Sequence, residues 1–512
     1  MSVKSISAET LHAWILDGKE LAILDAREEG EFGTAHLFWA VPCPLSRAEL
    51  RAPALLPRKS VRIVCVDDGR GLADRLAAIL ETLGYSDLST LDGGIESWAA
   101  AGFILFSGVN VPSKAFGEWV EHHYGTESIE PSELKSLMDA SEDIVILDSR
   151  PFDEFMRMSI PSGINVPGGE LVYRVGDIAP DERTTIVVNC AGRTRSILGA
   201  ESLRQVGIPN RVVALRNGTM GWELAGYQCA RGRTERFAPG KPLSLTVAQG
   251  RARAFAEQHG VRVVATEELD AMAADPDRSL FMLDVRDPVD FRAARRSGSI
   301  NAPGGQLIQA TDRWIGVRNA RIALIDDTGV RSNMTAGWLR QMGYTDVYTV
   351  ENALLTESGL LQTEKIAEPE VPTISVSELA ALLDGDERVM IVDLTRSIDF
   401  RDGHIPGAIW GIRSRLASLA GSLQTADRVV ATCPDGTLAH LAVDELQSLT
   451  HGTVHALEGG TNAWHEFGRP LQRDRSIPPD EACVDVYLRP YDRNGGVEEA
   501  MKAYLSWEID LV

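Results

Sequence analysis

Short apolar runs that stop at a polar turn recur along the chain, each followed by a stretch of helical periodicity. Arg62–Val66, Ile186–Val188, Ile322–Ile325 and Val429–Ala431 read as buried strands, as does Val212–Leu215. Leu72–Leu83, Ile197–Val206 and Leu438–Leu449 carry apolar residues at helical spacing, and each is followed by a glycine or a polar break. Alternation of this kind predicts an α/β fold with mainly parallel sheets covered by helices on both faces.

The alternation is itself periodic. Four strands close on an aspartate, in A-I-L-D-A-R (Asp25), V-I-L-D-S-R (Asp148), F-M-L-D-V-R (Asp284) and M-I-V-D-L-T-R (Asp393). A phenylalanine follows each one: Phe32, Phe155, Phe291 and Phe400. A second strand of each unit then ends at Asp67, Cys190, Asp326 or Cys433. Those ends lie 42 residues beyond the aspartate in the first three units (67−25, 190−148, 326−284) and 40 in the fourth (433−393). A glycine turn leading to tryptophan completes the first, second and fourth units at Trp98, Trp222 and Trp464, and is missing from the third.

The units are assigned to residues 1–112, 127–237, 263–363 and 364–475. Segments 113–126 and 238–262 act as linkers, with amphipathic helices expected over Ser113–His123 and Val247–His259. The acidic stretch Glu364–Pro372 joins the last two units. In the tail, 476–512, Cys483–Leu488 reads as an edge strand and Val497–Trp507 as a helix packed back onto a domain.

The chemistry concentrates in I-V-V-N-C-A-G-R-T-R-S, Ile186–Ser196. A strand delivers Cys190 to a tight loop that Gly192 allows to turn and that Arg193 and Arg195 make basic, and Ser196 opens a helix. Loop N–H groups and a helix N-terminus favour negative charge. Such surroundings can lower a cysteine pKa from ~8.5 to roughly 3.5–7.5 and turn the thiol into a nucleophile.

Charge narrows the partners. The formal net charge of −22 argues against nucleic acid and anionic membranes, so an anionic substrate has to be drawn in by a local basic pocket. No apolar run approaches the ~18 residues of a membrane span, and the N-terminus has no signal-peptide pattern. The six cysteines form no zinc spacing and no C-x-x-C pair, which suits a cytoplasmic protein with reduced thiols and no metal.

The D-x-R openings, I-P-S-G-I-N-V-P, the cysteine loop and the G-G-x-x-x-W turns resemble the rhodanese sulfurtransferase superfamily, as four tandem domains covering nearly the whole chain. The resemblance implies an enzyme whose cysteine carries a persulfide without a cofactor. It takes sulfur from a small anionic donor such as thiosulfate, a mercapto-acid or a persulfide, and passes it to cyanide, a thiol or a protein cysteine. It assigns Cys190 as the sulfur carrier and Ala191, Gly192, Arg193, Thr194 and Ser196 as the substrate-binding loop that Arg195 closes. Asp148 and Arg150 become a structural ion pair, and Trp222 a core aromatic. The loop is neither the C-R-K-G-V-T nor the C-G-S-G-V-T type of the family's thiosulfate and mercaptopyruvate enzymes, so the donor stays open. Asp67 and Asp326 cannot hold a sulfane sulfur, which makes the first and third units silent. Cys433, in C-P-D-G-T-L, is a possible second site weakened by Asp435, by Pro434 and by Leu438 at the arginine position. Two alternatives use the same features. One is a cysteine phosphatase or arsenate reductase, although only four residues separate Cys190 from Arg195 where a phosphate cradle needs five. The other is a non-catalytic sulfur-relay or interaction scaffold.

Overall fold

A computed structural model describes residues 3–351 and 368–512. Four five-stranded sheets, all parallel in their pairings, share one strand order: first, fifth, fourth, second, third in order along each unit. Crossovers leave in opposite directions from the second and fourth strands, which lie side by side. Their carboxyl ends therefore open a crevice at the switch in strand order, where open α/β sheets bind ligands. In the second unit these strands are Ile144–Asp148 and Thr185–Asn189. Both are runs of branched aliphatics that become fully buried toward their carboxyl ends, as expected for strands covered on both faces.

The fourth strand of each unit ends one residue before the repeated position: Val66 before Asp67, Asn189 before Cys190, Ile325 before Asp326, and Thr432 before Cys433. The glycine turn explains its own sequence. Gly94, Gly218 and Gly460 have φ of +59, +55 and +62, and a Cβ on them would lie 2.3, 2.2 and 2.0 Å from the carbonyl oxygens of Asp67, Cys190 and Cys433. Only glycine lets this turn rest on the loop. Trp98, Trp222 and Trp464 follow it, buried, each donating from Nε1 to a carbonyl six residues on.

The linker helices run Val111–Tyr124 and Leu245–Gln258 and dock the units together. Phe255 of the second lies against Gly337 in the third unit, and Phe116 of the first makes an edge contact with Trp338. The second and third units meet face to face. Gly168 and Gly169 lie against Gly305, and Arg331 donates across to Glu170 at 2.5 Å. The first unit holds the fourth through Arg413–Glu49 and Ser414–Glu28. The stretch where the third unit lacks its glycine turn, and the start of the Glu364–Pro372 linker, fall outside the described residues.

One expectation fails. Residues 483–488 form no strand; they are irregular, and Gly30 N–H of the first unit donates to the Val484 carbonyl (2.9 Å). The tail helix forms over Val497–Ile509, as expected, with Met501 and Leu505 buried against Met220 of the second unit.

Candidate active site

At the second unit's crevice the D-x-R pair forms a buried fork. Arg150 donates to both oxygens of Asp148 (2.9 and 2.7 Å) and to the Met158 carbonyl (2.5 Å), while Asn189 donates to Asp148 from the neighbouring strand. This locks the two strand ends together. Cys190 follows, 2% exposed, with its carbonyl accepting from Thr219 N–H at 2.9 Å. The helix after the loop spans Thr194–Gln205, starting two residues before Ser196, where the sequence predicts it to open. Its first turn therefore includes Arg195, and Ser196 lies on it close to the thiol. Cys190 Sγ donates to Ser196 Oγ at 3.5 Å, and Ser196 Oγ donates to the Arg193 carbonyl at 2.8 Å.

The two copies with an aspartate at the cysteine position display what this loop binds. The Asp67 carboxylate accepts from Gly69 N–H (2.8 Å), Leu72 N–H (2.6 Å) and Ala73 N–H (3.2 Å). Asp326 accepts from Arg331 N–H (2.9 Å) and Ser332 N–H (3.4 Å), and from the Arg331 side chain (2.8 Å). Both use the N–H groups five and six residues on, which in the second unit belong to Arg195 and Ser196. The loop is an anion cradle, filled by its own carboxylate in the first and third units and by a thiol in the second and fourth. At Cys433, burial pushes the thiol up to about 11; loop N–H groups oppose this and Asp435 adds to it, so the neutral form is favoured. Burial likewise pushes Cys43 and Cys229 up to about 12.

The basic residues of the loop are less free than their sequence suggests. Arg195 forms a bidentate pair with Glu154 (3.0 and 2.8 Å). Burial favours the neutral Glu154 carboxyl, yet Arg195, helped by Arg489 and Arg150, holds it at about 2. Burial also pulls on Arg195, and the charge and hydrogen bonds of Glu154 outweigh it, so its pKa stays above the usual arginine value. Arg193 is buried between Glu118 (2.6 Å) and Glu121 of the first linker helix, with Asn217 at 3.4 Å. Thr194 donates to Glu508 of the tail helix at 3.3 Å, and Glu508 also takes Lys114 at 2.5 Å. Gly192 faces that same carboxylate: a Cβ there would lie 2.9 Å from Glu508 Oε2.

A cleft of about 840 Å³, its open mouth included, unites Cys190, Ala191, Gly192, Arg193, Thr194 and Arg195. Ser196 stays beneath the loop, and Cys433 belongs to a different unit. Much of the wall comes from elsewhere. Asn110 projects from the end of the first unit, Lys114 from the linker helix, Gln309 from the third unit, and Tyr487, Arg489, Tyr491 and Tyr504 from the tail. Sequence reasoning missed these, along with Glu154. For Glu154 a signal was present. An acidic residue precedes the repeat phenylalanine in every unit (Glu31, Glu154, Asp290, Asp399), and each pairs with an arginine.

A rhodanese-like domain model matches residues 7–101, 130–225, 265–354 and 375–467. The chain belongs to the rhodanese family. The crystal structure of a thiosulfate sulfurtransferase from Pseudomonas aeruginosa superposes with a TM-score of 0.94 at 45% identity, covering 100% of this chain and 97% of that one. A thiosulfate sulfurtransferase of Shewanella oneidensis is 31% identical over 93 residues, which is 18% of this chain and 91% of that protein. A probable adenylyltransferase/sulfurtransferase of Mycobacterium tuberculosis is 31% identical over 96 residues, 19% of this chain and 24% of that protein. Each matched stretch holds the second to fifth strands of one sheet and starts directly after the first, so the repeat is one of rhodanese-like domains. Among the described residues no helix is long and apolar enough to cross a membrane.

Proposed function

We propose that this rhodanese is a sulfurtransferase that moves a sulfane sulfur through Cys190. The Cys190 thiolate attacks the outer sulfur of a small anionic donor, whether thiosulfate, a mercapto-acid or a persulfide. A bond forms between Sγ and that sulfur while the donor's bond to it breaks. The electron pair leaves with the departing group, which is sulfite when thiosulfate is the donor. A thiophilic acceptor (cyanide, a thiol or a protein cysteine) then attacks the outer sulfur of the Cys190 persulfide, and Sγ departs as the thiolate. No bond in this sequence calls for a metal or an organic cofactor.

One observation carries the reading. Carboxylates at the equivalent positions of two sister domains accept from the N–H groups that here belong to Arg195 and Ser196. The same cradle around a sulfur atom stabilises a thiolate, and then the terminal sulfur of a persulfide, with dipoles fixed before reaction. Ser196 contributes a rotatable hydroxyl. It accepts from the thiol at 3.5 Å and, by turning away from the Arg193 carbonyl, can donate once the sulfur is ionised. Arg195 balances Glu154, so that the cleft holds no uncompensated carboxylate beside the sulfur. Domains one and three frame the centre without chemistry of their own, and Cys433 is a weaker second thiol. Unpaired cysteines suit the reducing cytoplasm.

The test is Cys190→Ser in the full chain, assayed for transfer from thiosulfate to cyanide. Transfer is expected to vanish with the melting temperature unchanged, because the swap is nearly isosteric. Retention of most of the activity would move the sulfur-carrying site to Cys433 or end the reading.

A further inference from the structure

Six cationic side chains line the Cys190 cleft: Lys114, Arg150, Arg157, Arg193, Arg195 and Arg489. Five are engaged by a carboxylate within ordinary pairing distance. Lys114 holds Glu508 at 2.5 Å, Arg150 holds Asp148 at 2.7 Å, Arg193 holds Glu118 at 2.6 Å, Arg195 holds Glu154 at 2.8 Å, and Arg157 meets Asp492 at 3.1 Å. Arg489 differs. Its closest carboxylate oxygen is Glu154 Oε1 at 3.9 Å, and that oxygen already accepts from Arg195 at 3.0 Å. Among the described residues the Arg489 guanidinium donates no hydrogen bond, and its side chain is 51% exposed although it belongs to the cleft wall.

We infer that Arg489, delivered by the C-terminal segment, binds the charged end of the sulfur donor and selects for donors bearing an oxyanion away from the transferred sulfur. The inference rests on Cys190 as the sulfur carrier and names the substrate class that this site takes. A guanidinium offers a planar fork of N–H donors that matches an oxyanion in bidentate fashion, and such charge-assisted bonds are the strong ones. Arg195 cannot serve in this way without giving up Glu154. Arg489 also acts on the partly buried carboxyl of Glu29 in the first domain, without a hydrogen bond to it. In a chain of net charge −22, a guanidinium on the cleft wall with no close carboxylate of its own is what draws in a small anion. Tyr487 and Tyr491, on the same segment, fix the backbone that carries it. Tyr487 packs on Gly33 of the first domain, and Tyr491 Oη donates to Thr219 at 3.4 Å.

The experiment uses full-length Arg489→Ala and Arg489→Lys with thiosulfate as donor and cyanide as acceptor. Both parameters are measured at low and at raised ionic strength, and melting temperature is followed as a folding control. The alanine variant is expected to raise KM for thiosulfate about tenfold or more, with kcat within about twofold and a weaker salt dependence of kcat/KM. The lysine variant keeps the charge without the fork and is expected to fall between the two. An unchanged KM in Arg489→Ala, or a loss confined to kcat, would overturn the assignment while leaving Cys190 chemistry standing. Absence of wild-type turnover with thiosulfate, with a mercapto-acid and with a persulfide alike would instead strike the sulfur-carrier reading, and this inference with it.

Discussion

Removing the Arg195 guanidinium is expected to do its damage through Glu154. In Arg195→Ala the Glu154 carboxylate, about a quarter exposed beside the cleft, loses both of its bonds. Its carboxyl sits at about 2, against an ordinary 4.5, mainly because Arg195 overrides the burial that would raise it. A shift of that size is worth about 3 kcal/mol between the two protonation states. A folded-state pKa below the unfolded one gives stability that is present above about pH 4.5 and is lost as the pH falls toward about 2. Arg195→Ala is therefore expected to cost about 2–3 kcal/mol at pH 7, with the deficit shrinking as the pH falls and the unpaired carboxyl takes up a proton. It also leaves a net negative charge beside the proposed thiolate and anionic donor, and kcat/KM is expected to fall at least about tenfold, or about 1.4 kcal/mol. The double variant Glu154→Gln/Arg195→Ala restores the charge balance. It is expected to recover most of the stability and most of kcat/KM, giving a large coupling energy in a double-mutant cycle. Denaturant unfolding from pH 3 to 8 and steady-state kinetics on the four proteins supply both readouts. A double variant as impaired as Arg195→Ala, or a stability loss that does not vary with pH, would refute the charge-balance argument.

Two further perturbations follow from the same geometry. Gly218→Ala would place a methyl group 2.2 Å from the Cys190 carbonyl at a φ of +55, and is expected to cost about 2 kcal/mol or more and to abolish transfer; wild-type activity and melting temperature would contradict this packing. Asp393 lacks the arginine that its counterparts have, and burial raises its carboxyl to about 6. A raised folded-state pKa means that stability falls as the pH rises between about 4 and 6, so Asp393→Asn is expected to stabilise the protein by about 1–2 kcal/mol at pH 8 and to have little effect near pH 4; a benefit independent of pH would count against it.

The sheets and the position of Cys190 were legible because the pattern repeats. Four copies show which apolar runs are strands, and the constant interval from aspartate to loop marks the strand end that faces the crevice. The cradle was legible in part: a cysteine, a glycine and a helix start predict a site for negative charge, while the carboxylates of the sister loops reveal which N–H groups bind it. The electrostatics were not. Arg193 reads as a free cation, but its neutralising Glu118 and Glu121 come from a linker helix more than 70 residues earlier. The acidic residue before each repeat phenylalanine recurs in all four units and was a readable signal, but only in the second and third does it pair with the arginine that closes the loop. The tail lies outside the repeat, so nothing in the sequence pattern points it at the cleft. Residues 483–488 alternate like a half-buried strand, yet they pack on Gly30 and Gly33 of the first domain and pair with no sheet. Glu508 shows how far the contacts reach: it meets Thr194 across 314 residues of sequence.

The most direct test of the central claim is the intact mass of the full chain after incubation with thiosulfate, followed by peptide mapping. The account predicts a gain of one sulfur atom, located on the peptide containing Cys190, removed by cyanide and absent from Cys190→Ser. A gain mapped to Cys433, or no gain with any sulfane donor, would contradict it.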